Sequence, residues 1–397
     1  MPDPVTDPIV FALYVLMLLT VATNVASAAY VMTAIRSVGA FQRHAKVSGN
    51  FLPPVSVLKP VCGLDAGLHE NLRSFCRQNY PEYQIVLGVH DADDPAVAVI
   101  RRLIDECPET DIVLVIENNT AGANLKAGNL ENMYRAAKHD YLIIADSDMR
   151  VDERYIRTVV APFEDAKIGV VTCLYKGTSR GGFPSILSSM FINEWFLPSV
   201  LVSAGLREIR FCFGATMAVR RHVLDMIGGF KLLSQYLADD HMLGRLASDH
   251  GFKVALSGYV VENVIFEKSL KSLFQHELRW SRTVRAVEPL GHAFSFIMYG
   301  VPLAFFGALM VDVTYDWDFF EVALIALAVT LRVWMHKAVR KKLELPNDGS
   351  LWLVPLRDML SFVVWGASFF SRQIRWRGKT FVVRPNGLID PIKEPTA

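Results

Sequence analysis

The chain has 397 residues, with 41 Lys plus Arg against 40 Asp plus Glu, so its formal net charge is only +1. That balance leaves no global basic field for nucleic acid. At 52% hydrophobic residues and a mean hydropathy of +0.27, the composition is high for a purely soluble protein, and the length allows one large domain plus extra elements. The five cysteines, Cys62, Cys76, Cys107, Cys173 and Cys212, are odd in number and dispersed. They read as reduced thiols in a cytosolic setting rather than a disulfide framework.

Residues 9–35 are apolar and carry no charge. The stretch exceeds the ~20 residues needed to cross a bilayer. A signal peptide would want a basic start and a short core, whereas this one begins "MPDPVTDP" and runs long. A retained anchor is the expectation. Arg36, Arg43, His44 and Lys46 follow it, so the positive-inside rule puts the N-terminus outside and residue 40 onward in the cytoplasm.

Residues 53–288 alternate strand and helix patterns. "VSVLKPV", "YQIVLGV", "DIVLVIE" and "YLIIADSD" read as strands, and "LHENLRSFCRQNY", "AVAVIRRLIDEC" and "NLENMYRAAKH" as the helices between them. That βαβαβαβ order predicts a parallel sheet with helices on both faces. Ligands bind such sheets at the carboxyl ends of the strands, and two acidic clusters, Asp91 to Asp94 and Asp146 to Asp148, fall at such ends. If "YLIIADSD" stays extended, Asp146 and Asp148 point to the same side. Such a pair suits a hard cation, Mg²⁺ or Mn²⁺, with oxygen ligands. A solvated turn explains the same residues. There is no GxxxxGK[ST] and no GxGxxG after the first strand, so a bound nucleotide diphosphate needs a metal and basic side chains.

Residues 183–202, "FPSILSSMFINEWFLPSVLV", are apolar but interrupted by Pro184, Asn193, Glu194 and Pro198. They suit either helices lying in the membrane interface beside the site or a buried helix of the soluble domain. Two further apolar runs, residues 294–311 and 319–333, are joined by a link with Asp312, Asp316 and Asp318 and followed by the basic "RVWMHKAVRKK". They read as an out-and-back hairpin. Residues 351–370 contain Arg357 and Asp358 and precede the basic "SRQIRWRGK". A re-entrant or interfacial segment with a cytoplasmic C-terminus fits better than a span.

The motif order resembles the membrane-bound, inverting glycosyltransferases with a nucleotide-diphospho-sugar fold, and within them the ceramide glucosyltransferase-like group. "SVLKPVCG", "NLRSFCRQNYP", "INEWFLPSVLV", "RFCFGATMAVRR" and "HELRWSRTVRAVEPLG" carry the impression, most closely toward the bacterial hopanoid-biosynthesis glycosyltransferases. The resemblance implies an α/β fold: a nucleotide-diphospho-sugar transferase (GT-A type) domain with a mostly parallel sheet, plus N- and C-terminal transmembrane helices. The expected division is 1–40 anchor, 41–290 cytoplasmic catalytic domain with interfacial helices, and 291–397 C-terminal membrane region and tail.

The resemblance also implies roles. Asp91 contacts uracil or ribose. Lys126, in "GANLKAGNL", is a candidate diphosphate contact. Asp146 and Asp148 hold Mg²⁺ or Mn²⁺, with Asp146 also counted toward the donor. Asp240 of "LADDHMLG" takes the catalytic-base position with Asp239 beside it. His276, Arg279 and Trp280 of "HELRW" match the closing (R/Q)xxRW motif, with His276 departing from it. Asp239 and Asp240 precede a helical run, where the helix dipole also explains them. Trp280 packs either on the acceptor or as a structural anchor. The implied reaction moves a sugar from a UDP-sugar to a lipid hydroxyl at a bacterial inner membrane. A hopanoid with N-acetylglucosamine comes first, and ceramide with glucose is the alternative. A non-catalytic lipid-binding or transport protein of the same fold is the rival from another class.

Overall fold

A computed structural model describes residues 8–44, 50–119, 122–315, 318–345, 351–376 and 379–392. Of the expected topology flanks, Lys46, Asp316 and Arg377 lie outside them. The chain opens with α1 (Pro8–His44) and then alternates through β1 (Val55–Pro60), α2 (Leu68–Phe75), β2 (Tyr83–Val89), α3 (Ala96–Glu106), β3 (Asp111–Ile116), α4 (Leu125–Tyr134) and β4 (Tyr141–Ala145). Next come β5 (Met149–Arg150), α5 (Tyr155–Val160), β6 (Ile168–Ser179) and α6 (Phe183–Phe191). A π-helical turn, Ile192–Phe196, leads into α7 (Leu197–Leu206). The domain closes with β7 (Thr216–Arg220), α8 (Arg221–Met226), α9 (Gly229–Leu233), α10 (Asp239–Asp249) and β8 (Lys253–Ile265). After it run α11 (Leu270–Val287), α12 (Pro289–Phe294), α13 (Gly300–Tyr315), α14 (Asp318–Lys342) and α15 (Leu353–Ser368). Three short strands finish the described chain: β9 (Gln373–Trp376), β10 (Lys379–Val383) and β11 (Ile389–Pro391).

The main sheet has the order β3-β2-β1-β4-β7-β6-β8-β5. Pairs β1–β2, β1–β4, β2–β3 and β6–β8 are parallel, and β4–β7, β6–β7 and β5–β8 antiparallel. The sheet is thus mostly parallel, as expected. All six residues of β1 are buried, as befits a strand covered by helices on both faces. Its side chains divide by the period of two. Val55 and Val57 join the α2, α3 and α5 core, while Leu58 joins the core beneath α4, α8 and α10. With β2 on one flank and β4 on the other, β1 is the point where strand order reverses. The carboxyl ends of β2 and β4 therefore face one crevice, roughly 10 Å apart at two strand spacings.

Pro8–Phe41 and Phe319–Lys342 are long and apolar enough to cross a membrane and remain largely uncovered by protein, while the pair Pro289–Met298 plus Gly300–Met310, bent by 71°, is long and apolar enough when taken as one broken span, with most of its second half buried. Their exposed apolar side chains, among them Phe11, Leu18, Phe306, Leu309 and Val322, are the surface a lipid phase covers. The α6–α7 segment is different. Trp195, Asn193 and Glu194 are buried, and only its ends, at Phe183 and Leu206, carry well-exposed side chains. Most of it is an internal helix, as in the second reading, but it is covered by α1 and α14 as well as by the sheet domain. Glu194 is held there by His336 at 2.7 Å and Arg340 at 3.4 Å, both on α14.

Sixteen residues make α15 about 24 Å long, short of the ~30 Å hydrocarbon thickness. Its charges explain its place. Arg357 and Asp358 are both fully buried. The Arg357 guanidinium donates twice to the Glu277 carboxylate of α11, at 2.9 and 2.6 Å. Asp358 accepts from Trp195 Nε1 and from the Val301 backbone N–H, each at 2.8 Å, and pairs with Arg332 at 3.2 Å. The helix is therefore a bolt between α11 and the membrane bundle. Arg357→Leu strands the Glu277 carboxylate and should destabilise the protein by about 3–5 kcal/mol, whereas Glu277→Leu/Arg357→Leu should recover most of that loss. Thermal inactivation of the purified variants checks this: an equal loss in single and double variants would remove the pair from the account.

Candidate active site

The crevice gathers carboxylates. β4 ends at Ala145, and residues 146–148 form a turn closed by Met149 N–H to Asp146 C=O at 3.2 Å. The expected strand pleat therefore does not set the relation of Asp146 and Asp148. The chain leaves the sheet here because it must reverse to pair Met149 and Arg150 with β8. Asp148 is placed by a bond from Asn263 Nδ2 at 2.9 Å, and its backbone carbonyl accepts from Val264. Ser147 between them donates to Asp65, from the loop after β1. Burial first, then the charges of Asp146 and Asp65, push the Asp148 carboxyl up to about 7.

Asp146 meets Lys126, whose Nζ lies 2.6 Å from Oδ1 and also donates to Gly214 C=O at 3.3 Å. Burial would pull the lysine's pKa down, but Asp146, Asp239 and Asp240 together outweigh it and the pKa is raised. Lys126 is the cation that this crowd shares. It reaches them because α4 begins one residue earlier, with Asn124 as N-cap accepting from Ala127 N–H at 3.1 Å. The other end of the same amide donates to Asp239 Oδ1 at 3.0 Å and to Tyr236 C=O at 2.9 Å. One buried asparagine thus ties the start of α4 to the start of α10.

Asp239 and Asp240 open α10 and face different partners. Asp240 accepts from the His241 N–H at 2.8 Å and lies against Gly214, where an added Cβ would come within 2.9 Å of Asp240 Oδ2. Gly244 allows the same closeness one turn on, since a Cβ there would meet Phe211 backbone at 2.6 Å. Burial raises both carboxyls against the pull of Lys126, that of Asp239 to about 6. Their position in the first turn also suits the helix dipole, so the two readings of Asp240 coexist in one geometry.

Asp91 follows β2, exposed at the same edge, its Oδ1 accepting from Asp93 N–H at 3.0 Å. Asp94 is committed elsewhere: it accepts from Gly63 N–H at 2.9 Å and caps α3 at Ala96 N–H, 2.8 Å. Lys59 was not singled out from the sequence, although a lysine inside an all-buried strand is itself a signal. Its Nζ lies 3.6 Å from the Phe75 ring centroid and donates to Asp146 C=O at 2.7 Å. Burial brings it down to about 7.

His276, Arg279 and Trp280 form a second group on α11. His276 Nδ1 is 2.8 Å from Glu267 Oε1, and the Trp280 ring stacks on Phe191 at 6.2 Å and touches His276 at 4.3 Å. Arg279 lies over Trp376 of β9 at 5.9 Å. The structure thus joins Lys126 and Asp146 by a direct ion pair and brings the charges of Asp239 and Asp240 to bear on the same lysine. The α11 trio is anchored to α6 and the C-terminal strands, and the Phe191 contact favours the structural reading of Trp280.

Among the described residues, no three His, Cys, Asp or Glu side chains gather closely enough to hold a metal ion alone. The donor set still fits one. Two crowded carboxylates, one of them pushed up by burial and by the negative charge beside it, suit Mg²⁺ or Mn²⁺, which take remaining ligands from water and phosphate.

The profile of glycosyl transferase family 21 matches residues 18–389. The chain belongs to glycosyl transferase family 21. It is 24% identical to ceramide glucosyltransferase 3 of Caenorhabditis elegans over 371 residues, 89% of this chain and 78% of that one. Against the ceramide glucosyltransferase of Gibberella zeae it is 27% identical over a 457-residue alignment, covering 87% of this chain and 86% of that one. The structure of mannosyltransferase PcManGT from Pyrobaculum calidifontis, solved with GDP-Man and Mn2+, superposes with a TM-score of 0.61 at 16% identity, over 89% of this chain and 99% of that one. The last likeness is one of fold, and it bears out the GT-A type domain. The protein is a hexosyltransferase. The ceramide glucosyltransferase-like resemblance holds, and these relatives favour the ceramide alternative over the hopanoid expectation.

Asp239 gives the site a pH signature. Its carboxyl keeps a proton to about pH 6 in the fold and to about 3.9 when unfolded. The folded state binds more protons between those values, so stability falls as pH rises through the window, by about 3 kcal/mol in all. Asp239→Asn should flatten that slope in thermal midpoints taken from pH 4 to 7. An unchanged slope would place the titration elsewhere.

Proposed function

We propose that the enzyme transfers glucose from UDP-glucose to the hydroxyl of a ceramide-type lipid at the cytoplasmic face of a membrane, with inversion. The observation that carries it is the arrangement of Lys126 and Asp146 against Asp240 at the carboxyl edge of β4. It offers a cation for a leaving diphosphate beside a base for an entering hydroxyl. The ceramide and glucose assignment takes its support from the names of the curated relatives.

Inverting transfer is a single displacement. The acceptor oxygen attacks the anomeric carbon, the bond to the diphosphate oxygen breaks, and the hydroxyl proton passes to Asp240. Burial raises the pKa of that carboxyl against the pull of Lys126, which makes it a stronger base. Lys126 and Arg279 offset the charge growing on the diphosphate. Asp91, exposed past β2, is the donor's nucleoside contact. Asp146 and Asp148 would hold a divalent ion, which when bound supplies further positive charge to the phosphate oxygens. His276, held by Glu267, shapes the acceptor side of α11, and Trp280 anchors that helix against Phe191.

Asp240→Asn keeps the side chain's size but removes the base, so turnover should fall by about 10²-fold to 10⁴-fold with donor affinity retained. Asp239→Asn should be milder. Asp146→Ala and Asp148→Ala should weaken donor binding, as EDTA should. The assay pairs purified enzyme with UDP-glucose and ceramide, and separately with UDP-N-acetylglucosamine and bacteriohopanetetrol. Product only from the second pair would reverse the substrate assignment, and near-normal turnover of Asp240→Asn would remove the base.

The same reading sets a topology: N-terminus outside, α13 and α14 out and back, and both the catalytic domain and the C-terminus cytoplasmic. It rests on the charge-free start of α1, the basic end of α14 at Arg340, Lys341 and Lys342, and the shortness of α15. A reporter fused at residue 397 should be active only in the cytoplasm. Activity on the other side of the membrane would mean that α15 crosses.

A further inference from the structure

A cavity of about 600 Å³ opens between the last turns of α11, the end of α15 and the C-terminal strands. Arg282, Arg285, Arg372 and Arg384 line it together with Phe369 and Phe370, and no Asp or Glu is among its lining residues. Arg384 is paired with Asp390. Among the described residues no ion pair reaches the other three. Arg282 and Arg285 donate instead to the backbone carbonyls of Gln373 and Ser371, each at 2.6 Å. Arg282 Nε is buried without an acceptor. Burial first, and then the charge of Arg285, lower the pKa of Arg282, while burial and the charge of Arg372 lower that of Arg285.

Like charges are not assembled without cost, and three uncompensated guanidinium groups around one cavity need an anion. A phosphate matches the planar fork of arginine. The surroundings say where it comes from. Phe370 is 89% exposed and Phe369 44% exposed, aromatic groups placed where one end of a ligand is apolar. Pro289 at the rim begins the bent pair that runs into the membrane bundle. Basic pockets at the cytoplasmic end of membrane helices hold anionic lipid headgroups.

We propose that this pocket binds the phosphate of an anionic phospholipid of the cytoplasmic leaflet. The proposal rests on the membrane orientation given above. Its consequence reaches the reaction through α11. Arg279 and Trp280 stand one turn before Arg282, and Arg279 packs on Trp376 of β9. A phosphate bridging Arg282, Arg285 and Arg372 clamps that helix to the C-terminal strands, so occupancy raises turnover.

The test uses the full chain in nanodiscs of phosphatidylcholine, with and without phosphatidylglycerol. Retained lipid is counted by native mass spectrometry after transfer to detergent, and turnover is read in the discs. Wild-type protein should retain phosphatidylglycerol and turn over faster with it. Arg285→Gln/Arg372→Gln should weaken retention by about 25-fold, at about five-fold for each basic residue beside an anionic bilayer, with turnover in pure phosphatidylcholine unchanged. Arg285→Lys/Arg372→Lys should keep most of the retention. Arg372→Gln alone, in a loop, gives the smaller effect if the double variant does not fold. Inorganic phosphate that raises the wild-type thermal midpoint but not that of the double variant, with no phosphatidylglycerol retained, would overturn the lipid source and leave a soluble-anion site. Equal retention in wild type and double variant, or none in either without a phosphate effect, overturns the proposal. Lipid retention is read without activity, so it stands or falls apart from the substrate assignment.

Discussion

Negative charge crowded at one edge of the sheet is the constraint on which the site depends. Asp146, Asp148, Asp239 and Asp240 come from a turn after β4 and the first turn of α10, and Asp65 joins them from the loop after β1. The fold supplies Lys126 to three of them, Asp146, Asp239 and Asp240, and Lys59 beneath. Lys59 is spent on a backbone carbonyl and a ring face, and burial lowers its own charge. One ammonium against so many carboxylates leaves the edge under-neutralised. A site that is short of positive charge when alone favours a ligand that brings its own, which is the character of a nucleotide diphosphate travelling with a cation.

The same logic governs the apolar half of the molecule, with the opposite solution. Arg357, Asp358, Glu277, Arg332 and Glu194 are as buried as any leucine, yet each finds a protein partner. Burial of such pairs is tolerated where hydrogen bonds complete them. They fix which helix lies against which. Arg357 and Asp358 are consecutive, so one turn of α15 grips the α11 motif helix on one side and Trp195, Val301 and Arg332 on the other. The element carrying Arg279 is thereby registered against the membrane bundle.

Much of the architecture was legible because its signals are local. The βαβαβαβ rhythm, the acidic strand ends and the charge-free stretch of residues 9–35 each report on neighbours in sequence. What sequence reading missed is set by partners far away. Strand periodicity put Asp146 and Asp148 on one side of a strand, but pairing of Met149 with Asn263, more than a hundred residues on, turns the chain instead. Asn124 looked like part of a nucleotide-binding segment, and its bonds to Tyr236 and Asp239 make it the tie between two helices. Residues 371–392 read only as a basic tail. Their three strands form because β10 pairs with both neighbours and β11 meets the loop before α10, where Ile389 N–H bonds Gln235 C=O at 3.1 Å.

That last contact gives the C-terminal strands a second role. Leu237 N–H bonds Gly387 C=O at 3.0 Å, so the segment that leads into Asp239 is held by the same small sheet on which Arg279 packs through Trp376. The aspartates and the α11 motif come from separate elements, and both are anchored to β9–β11 and the turns around it. Closing the site around a donor needs α11 and the α10 start to keep one spacing. A shared scaffold of short strands does this at low cost in ordered chain, since it fixes two distant helix ends through a single element. The arginine-lined cavity lies where that scaffold meets the last turns of α11 and the end of α15.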